Sequence, residues 1–139
     1  MEKIKRRCLM TFDEVFNHTM EFKDCRLISS SEKHAEIRIR VNETDTNPYG
    51  LAHGGYLFTL CDTLCGLLGY CLGYYVVTQQ ANINYLKPAR LNDELTILAE
   101  VLHSGTSSDV CDVRITNQKD ELIAKAQFTL FNTQKIDIK

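Results

Sequence analysis

His53-Gly54-Gly55-Tyr56-Leu57-Phe58-Thr59-Leu60-Cys61-Asp62-Thr63-Leu64-Cys65-Gly66-Leu67-Leu68-Gly69-Tyr70-Cys71-Leu72 is the stretch that decides the architecture of this chain. Leu57, Phe58, Leu60, Cys61, Leu64, Leu67, Leu68 and Cys71 cover more than one face of a helix, so the stretch is a central rod that other elements must wrap. A sheet curved around it would do this. The interval without charge runs from Thr63 to Leu86, but it contains Gly66, Gly69 and Gly73 and turns polar at Thr78, Gln79, Gln80, Asn82 and Asn84. Its apolar part falls short of the ~20 residues of a membrane span. Cys61, Cys65 and Cys71 sit within the rod and no CxxC pair exists, so they read as small buried hydrophobes and not as metal ligands or redox pairs.

Outward from the rod, periodicity changes from helical to alternating. Before it, Ala35, Ile37, Ile39 and Val41 alternate with His34, Glu36, Arg38 and Arg40, which predicts a half-buried strand over 33–41. Residues 22–30 form a weaker strand, joined to it by a turn at Ser30, Ser31 and Glu32. Phe12, Val15, Phe16 and Met20 recur at helical spacing, with Asp13 and Glu14 where acidic groups favour a helix start, so a short helix over 12–20 leads the chain. A polar loop over 42–52, with Pro48 and Gly50, enters the rod. After it, strands are expected over 76–86, 95–102, 108–117 and 122–131, linked by short turn-like connections over 87–93, 104–106 and 118–120. With no crossover helices among the last four, the sheet should be largely antiparallel. The expectation is one α+β domain over 1–139, a long central helix wrapped by a curved antiparallel sheet.

Length and charge narrow the functions. The 139 residues suit one core. Sixteen basic against eighteen acidic residues give a formal charge of −2, which supplies no field for nucleic acid or an anionic membrane. The charged N-terminal stretch Met1 to Thr11 has no apolar signal-peptide core, so the chain is expected in a reducing cytoplasm.

Asp62 is the charged side chain inside the apolar rod, where an unpaired carboxylate would cost several kcal/mol or take up a proton. Either it is paired with a hydroxyl or amide and fixes packing, or it does chemistry. Gly54 and Gly55 allow close approach to a helix N-terminus, where free N–H groups stabilise a developing negative oxygen; equally, they relieve crowding. His53 caps the helix or donates to a leaving group, Asn47 closes a turn or donates its amide to a carbonyl, and Thr78 suits a strand or orients a water. Asp62 lies eight residues beyond Gly54, ~12 Å up the same helix, whereas reacting atoms approach within ~3 to 3.5 Å. If both act on one carbonyl, Asp62 must come from a second copy whose helix runs antiparallel alongside, as a two-fold dimer provides.

Asn47-x5-His53-Gly54-Gly55-x6-Asp62, with the later Asn82-Ile83-Asn84-Tyr85-Leu86-Lys87-Pro88-Ala89, resembles the hotdog-fold acyl-CoA thioesterases of the PaaI-like (phenylacetate-pathway) and thioesterase superfamily member 2 type, over residues 13–131. The resemblance implies a hotdog fold, a homodimer often paired again into a tetramer, and an acyl-CoA substrate whose coenzyme A is no separate cofactor. It implies Asp62 as general base or nucleophile, Gly54 N–H and the Asn47 amide as polarisers of the thioester oxygen, His53 near the sulfur, and Thr78 helping Asp62 hold water. Gly55, Asn82, Lys87, Arg90 and the turn Ser104, Gly105, Thr106 are the implied contacts to substrate. No metal is demanded, because a carboxylate and a good thiolate leaving group suffice. Tyr56, Phe58 and Cys61 flank the site and Tyr70, Tyr74 and Tyr75 follow the helix, so the pocket leaves the acyl group open between aryl and medium-chain. A non-catalytic acyl-CoA or acyl-carrier binding protein is the alternative, and a hotdog hydratase or dehydratase a further one.

Overall fold

The computed structural model describes residues 12, 13, 16, 22 and 24–136. Six strands form one antiparallel sheet: β1 (Cys25–Ser30), β2 (His34–Arg40), β3 (Tyr74–Tyr85), β4 (Glu94–Ser104), β5 (Ser108–Thr116) and β6 (Leu122–Lys135), in the spatial order β1-β2-β4-β5-β6-β3. The rod is helix α1 (Gly54–Cys71). It lies in the chain between β2, near one edge of the sheet, and β3, the opposite edge, so the connection carries it across the concave face. The α+β arrangement expected from the rod, a long helix packed on an antiparallel sheet, is the one observed, and it is the hotdog fold that the resemblance implies.

The alternating strands bury the predicted faces. Ala35, Ile37 and Ile39 of β2, Leu95, Ile97 and Ala99 of β4, Cys111, Val113 and Ile115 of β5, and Ala124, Ala126, Phe128 and Leu130 of β6 all lose nearly all exposure. From α1, Leu57, Leu60, Cys61, Leu64, Cys65, Leu67 and Leu68 meet them. Each such aliphatic side chain contributes about 1.5–3 kcal/mol on burial. The seam with β3 is tight: a Cβ on Gly69 would sit 3.0 Å from both Val76 methyls and 3.2 Å from Leu130 Cδ1. The helix ends at Cys71, and Gly73, with a φ of 105°, turns the chain into β3.

Element ends differ from expectation where ladder pairing, not apolar alternation, defines the strand. β3 starts at Tyr74 and β6 runs to Lys135 because Tyr74 pairs with Lys135 and Tyr75 with Gln134, exposed or half-buried residues with no buried face to reveal them. β4 likewise runs on to Ser104. Of the expected leading helix, Phe12, Asp13 and Phe16 are helical, and the two buried rings stack with centroids 6.4 Å apart; Glu14, Val15 and Met20 lie outside the described residues.

Cys61, Cys65 and Cys111 are fully buried and no described cysteine forms a disulfide; Cys25 and Cys71 are half-buried, and Cys8 lies outside the described residues. A hydrogen bond with Cys111, together with burial, pushes the Cys65 thiol well above its usual value, and burial pushes Cys61 up to about 12, with Asp62 adding to it. Such thiols are inert packing groups.

One irregularity in β3 places the site. Thr78 pairs with Leu130 and Gln80 with Thr129, leaving Gln79 as an extra residue, a β-bulge. Side chains alternate along a strand, so Thr78 and Tyr85, seven residues apart, would face opposite sides of an unbroken one. The bulge absorbs one residue. Val76 and Thr78 before it, and Ala81, Ile83 and Tyr85 after it, therefore all stand opposite inward partners of β6: Asn132, Leu130, Phe128, Ala126 and Ala124.

Candidate active site

The first part of the site is the start of α1. Asn47 closes an Asx turn: its side-chain oxygen accepts from the backbone N–H of Tyr49 at 2.9 Å and of Leu51 at 3.1 Å. With that oxygen held, its amide nitrogen is turned away from the turn and takes no partner among the described residues. The loop is stitched to the segment after β3, since Ala52 N–H donates to Ala89 O at 2.8 Å and Leu91 N–H to Gly50 O at 2.9 Å. His53 caps α1 through its backbone oxygen, which accepts from Tyr56 and Leu57, while its exposed side chain makes no capping bond. The N–H groups of Gly54 and Gly55 have no acceptor among the described residues and form the positive end of the helix. Gly54 is crowded, since a Cβ there would meet Tyr85 Cζ at 3.1 Å; Gly55 faces open space.

The second part lies two turns along. Asp62 is half-buried, not sealed in the core as the sequence suggested, because it meets the edge strand β3 at Thr78, which is itself exposed. Thr78 Oγ1 donates to Asp62 Oδ1 at 2.5 Å. Charge-assisted bonds of this length are strong and fix the carboxylate rotamer. Asp62 Oδ2 takes no hydrogen bond among the described residues, so one oxygen is anchored and the other is available to a proton.

The remaining candidates divide between these two ends. Arg90 bridges to Leu51 and Lys87 lies two residues past Tyr85, the end of β3 that contacts Gly54, which puts both beside the helix start. Lys87 pairs with Glu121 at 3.2 Å, both side chains exposed, and this pairing lowers the Glu121 carboxyl after a larger contribution from Asn117. The Ser104–Thr106 turn stands at the other end: Ser104, Asp109, Leu130 and Thr78 form one row across β4, β5, β6 and β3. At ~4.8 Å per strand that row puts Ser104 ~14 Å from Thr78. Asn82 pairs with Gln127 on the outer face and is brought together with neither end. A groove of about 590 Å³ on that outer face is lined by Glu36, Arg38, Glu94, Thr96 and Arg114 and touches no candidate residue. Among the described residues no group of three or more His, Cys, Asp or Glu is placed to hold a metal.

Two residues with a bearing on the site lay outside the sequence reading. Tyr85 Oη donates to Gly54 O at 2.8 Å, a contact that depends on the bulge and is invisible without it. Asp109, 1% exposed, has both carboxylate oxygens buried without a hydrogen bond, under the Ser104–Thr106 turn. Burial pushes its carboxyl above the usual range, and Ser104, Asn132, His103 and the Gly105 backbone oppose this without closing a bond. Around the helix start, Tyr56 packs edge-on against Phe22 with ring centroids 6.2 Å apart, and Phe58 packs at a tilt against Phe128 at 5.1 Å. Burial, then Asp45, pushes the Tyr56 phenol up.

Known proteins place this geometry. Residues 49–124 match the family model described as "Thioesterase superfamily". The chain is 33% identical over 98 residues to the acyl-coenzyme A thioesterase PaaI of Escherichia coli, covering 70% of each chain. It is 31% identical over 106 residues to the acyl-coenzyme A thioesterase 13 of Mus musculus, covering 74% of this chain and 76% of that one. A crystal structure of a hypothetical thioesterase with coenzyme A from Streptococcus pneumoniae superposes with a TM-score of 0.82 at 42% identity, covering 90% of this chain and 98% of that one. No helix among the described residues is long and apolar enough to cross a membrane. With the rod, its glycine-led start and strands β3, β4 and β5 all falling inside the matched span, the chain belongs to the thioesterase superfamily, as a hotdog-fold, PaaI-like member of the acyl-CoA thioesterase type.

Proposed function

We propose that this chain hydrolyses acyl-CoA thioesters, with aryl or medium-chain acyl groups, at two equivalent sites of a homodimer. Each site takes Asp62 and Thr78 from one protomer and Asn47, His53, Gly54 and Gly55 from its partner. The observation that carries this reading is the ~12 Å that separates Asp62 from the helix start on one rod, where a reaction allows ~3 to 3.5 Å. A two-fold antiparallel pairing of rods brings the two parts together without moving either.

In this reading the thioester oxygen is held by Gly54 N–H and the Asn47 amide. Asp62, oriented by Thr78, takes a proton from water as its oxygen bonds to the carbonyl carbon. The C–S bond then breaks, coenzyme A leaves as the thiolate beside His53, and the proton taken by Asp62 is returned to it. Lys87 and Arg90 of one protomer and Ser104, Gly105 and Thr106 of the other flank the shared cleft and contact the coenzyme A arm. Support comes from the coenzyme A in the pneumococcal relative and from the thioesterase names of the bacterial and murine ones.

Thiol release from a panel of acyl-CoAs tests it. Asp62→Asn should lose ~10²-fold or more in kcat. Equal rates for the variant and the native chain remove Asp62 from the mechanism, and tight acyl-CoA binding without turnover by the native chain makes it a binding protein instead.

A further inference from the structure

We infer that Tyr85 is a positioning residue for this reaction: its hydroxyl fixes and polarises the Gly54–Gly55 peptide, so that Gly55 N–H joins Gly54 N–H in holding the thioester oxygen. The inference rests on the hydrolytic reading above and extends it to a residue outside the helix.

The chemistry follows from which atoms share a peptide. Tyr85 Oη donates to the carbonyl oxygen of Gly54 at 2.8 Å. That carbonyl is conjugated to the N–H of Gly55, not of Gly54. A hydrogen bond accepted at the oxygen draws electron density through the amide and makes its N–H a better donor, by some 10–30% per bond in a chain. Gly55 N–H has no acceptor among the described residues, and a Cβ added at Gly55 would meet nothing within 4 Å, so that side of the residue is open.

Position is controlled as well as polarity. The Tyr85 ring lies where a Gly54 side chain would be, 3.1 Å from an added Cβ at Cζ and 3.3 Å at Oη. The first turn of α1 is thus pinned against β3 at one point, with the bulge at Gln79 supplying the parity that points both Tyr85 and Thr78 at the rod. One strand therefore sets the acid group at one end and the amide donors at the other. Burial, with a contribution from Cys61, raises the Tyr85 phenol, which keeps it protonated and donating across the working range of a carboxylate base.

Tyr85→Phe retains the ring and its contact with Gly54 and removes only the hydroxyl. With acyl-CoA substrates that the native chain hydrolyses, the expected result is a kcat lower by roughly tenfold with KM within about twofold, since the donor is strengthened for the transition state. The Gly55 amide proton should move upfield in the ¹H–¹⁵N spectrum, and the fall in kcat at near-constant KM is the readout that a purely structural tyrosine would not move. An unchanged kcat, a rise in KM alone, or a loss that tracks a lowered denaturation midpoint overturns the inference. A native chain without turnover sinks the hydrolytic reading, whereas an unmoved Gly55 resonance in Tyr85→Phe sinks this one whatever the turnover.

Discussion

Asp109 is held where charge is costly: 1% exposed, with neither carboxylate oxygen hydrogen-bonded. Because burial raises its folded pKa, the native state binds this proton more tightly than the unfolded chain. Its contribution is therefore most favourable below the ordinary carboxylate value and is lost as pH rises through the raised one. Asp109→Asn, nearly the same shape without charge, should raise unfolding free energy by about 1–2 kcal/mol above neutral pH, and the gain should shrink on acidification. Urea titrations of both proteins at several pH values measure this; a gain that grows toward acid contradicts it. The signal was in the sequence, since Asp109 shares parity with Cys111, Val113 and Ile115, but the alternation becomes apolar only at Cys111. Asp62 stands out in the sequence because a charge inside an apolar rod is anomalous; Gly54 and Asn47, ordinary at a helix start and in a turn, are singled out only by the resemblance, and Tyr85 by neither, since an aromatic in a strand needs no explanation.

At the level of elements, α1 and β2 could be read directly because each buries a face at a fixed period. The bulge could not. Gln79 and Gln80 are both exposed, so neither carries the apolar contrast from which register is inferred, and the switch of parity between Thr78 and Ala81 only shows once β6 is laid beside them. The helix–strand seam is similarly silent in sequence, where Gly69 reads as a weak helix residue. In Gly69→Ala the gain of about 1 kcal/mol in helix propensity is outweighed by the about 1–3 kcal/mol of overpacking against Val76 and Leu130, so the denaturation midpoint should fall. Adding Val76→Ala removes the part of the clash that Val76 makes, and the double variant should then lose less than the sum of the two single losses, which a double-mutant cycle reads.

On the scale of the whole molecule, the candidate residues other than Asn82 sort into two clusters, one at the start of the rod and one at its middle ~12 Å along, and the proposal turns on their meeting across a dimer. Two inactive variants test this by complementation. Asn47→Asp keeps the oxygen that Tyr49 and Leu51 need but replaces the donating amide by an acceptor, and Asp62→Asn removes the base. Mixed protomers would carry one doubly damaged and one intact site, so an equal mixture after subunit exchange should recover about a quarter of native activity. No recovery would place the whole site within a single protomer. The same fold offers the assay an internal gauge. Cys61, Cys65 and Cys111 are sealed in the interior, and the Cys61 and Cys65 thiols are hard to ionise, so a disulfide-exchange dye that counts liberated coenzyme A meets none of the three while the protein stays native. Their sudden labelling marks global opening, and one reagent meters both catalysis and collapse.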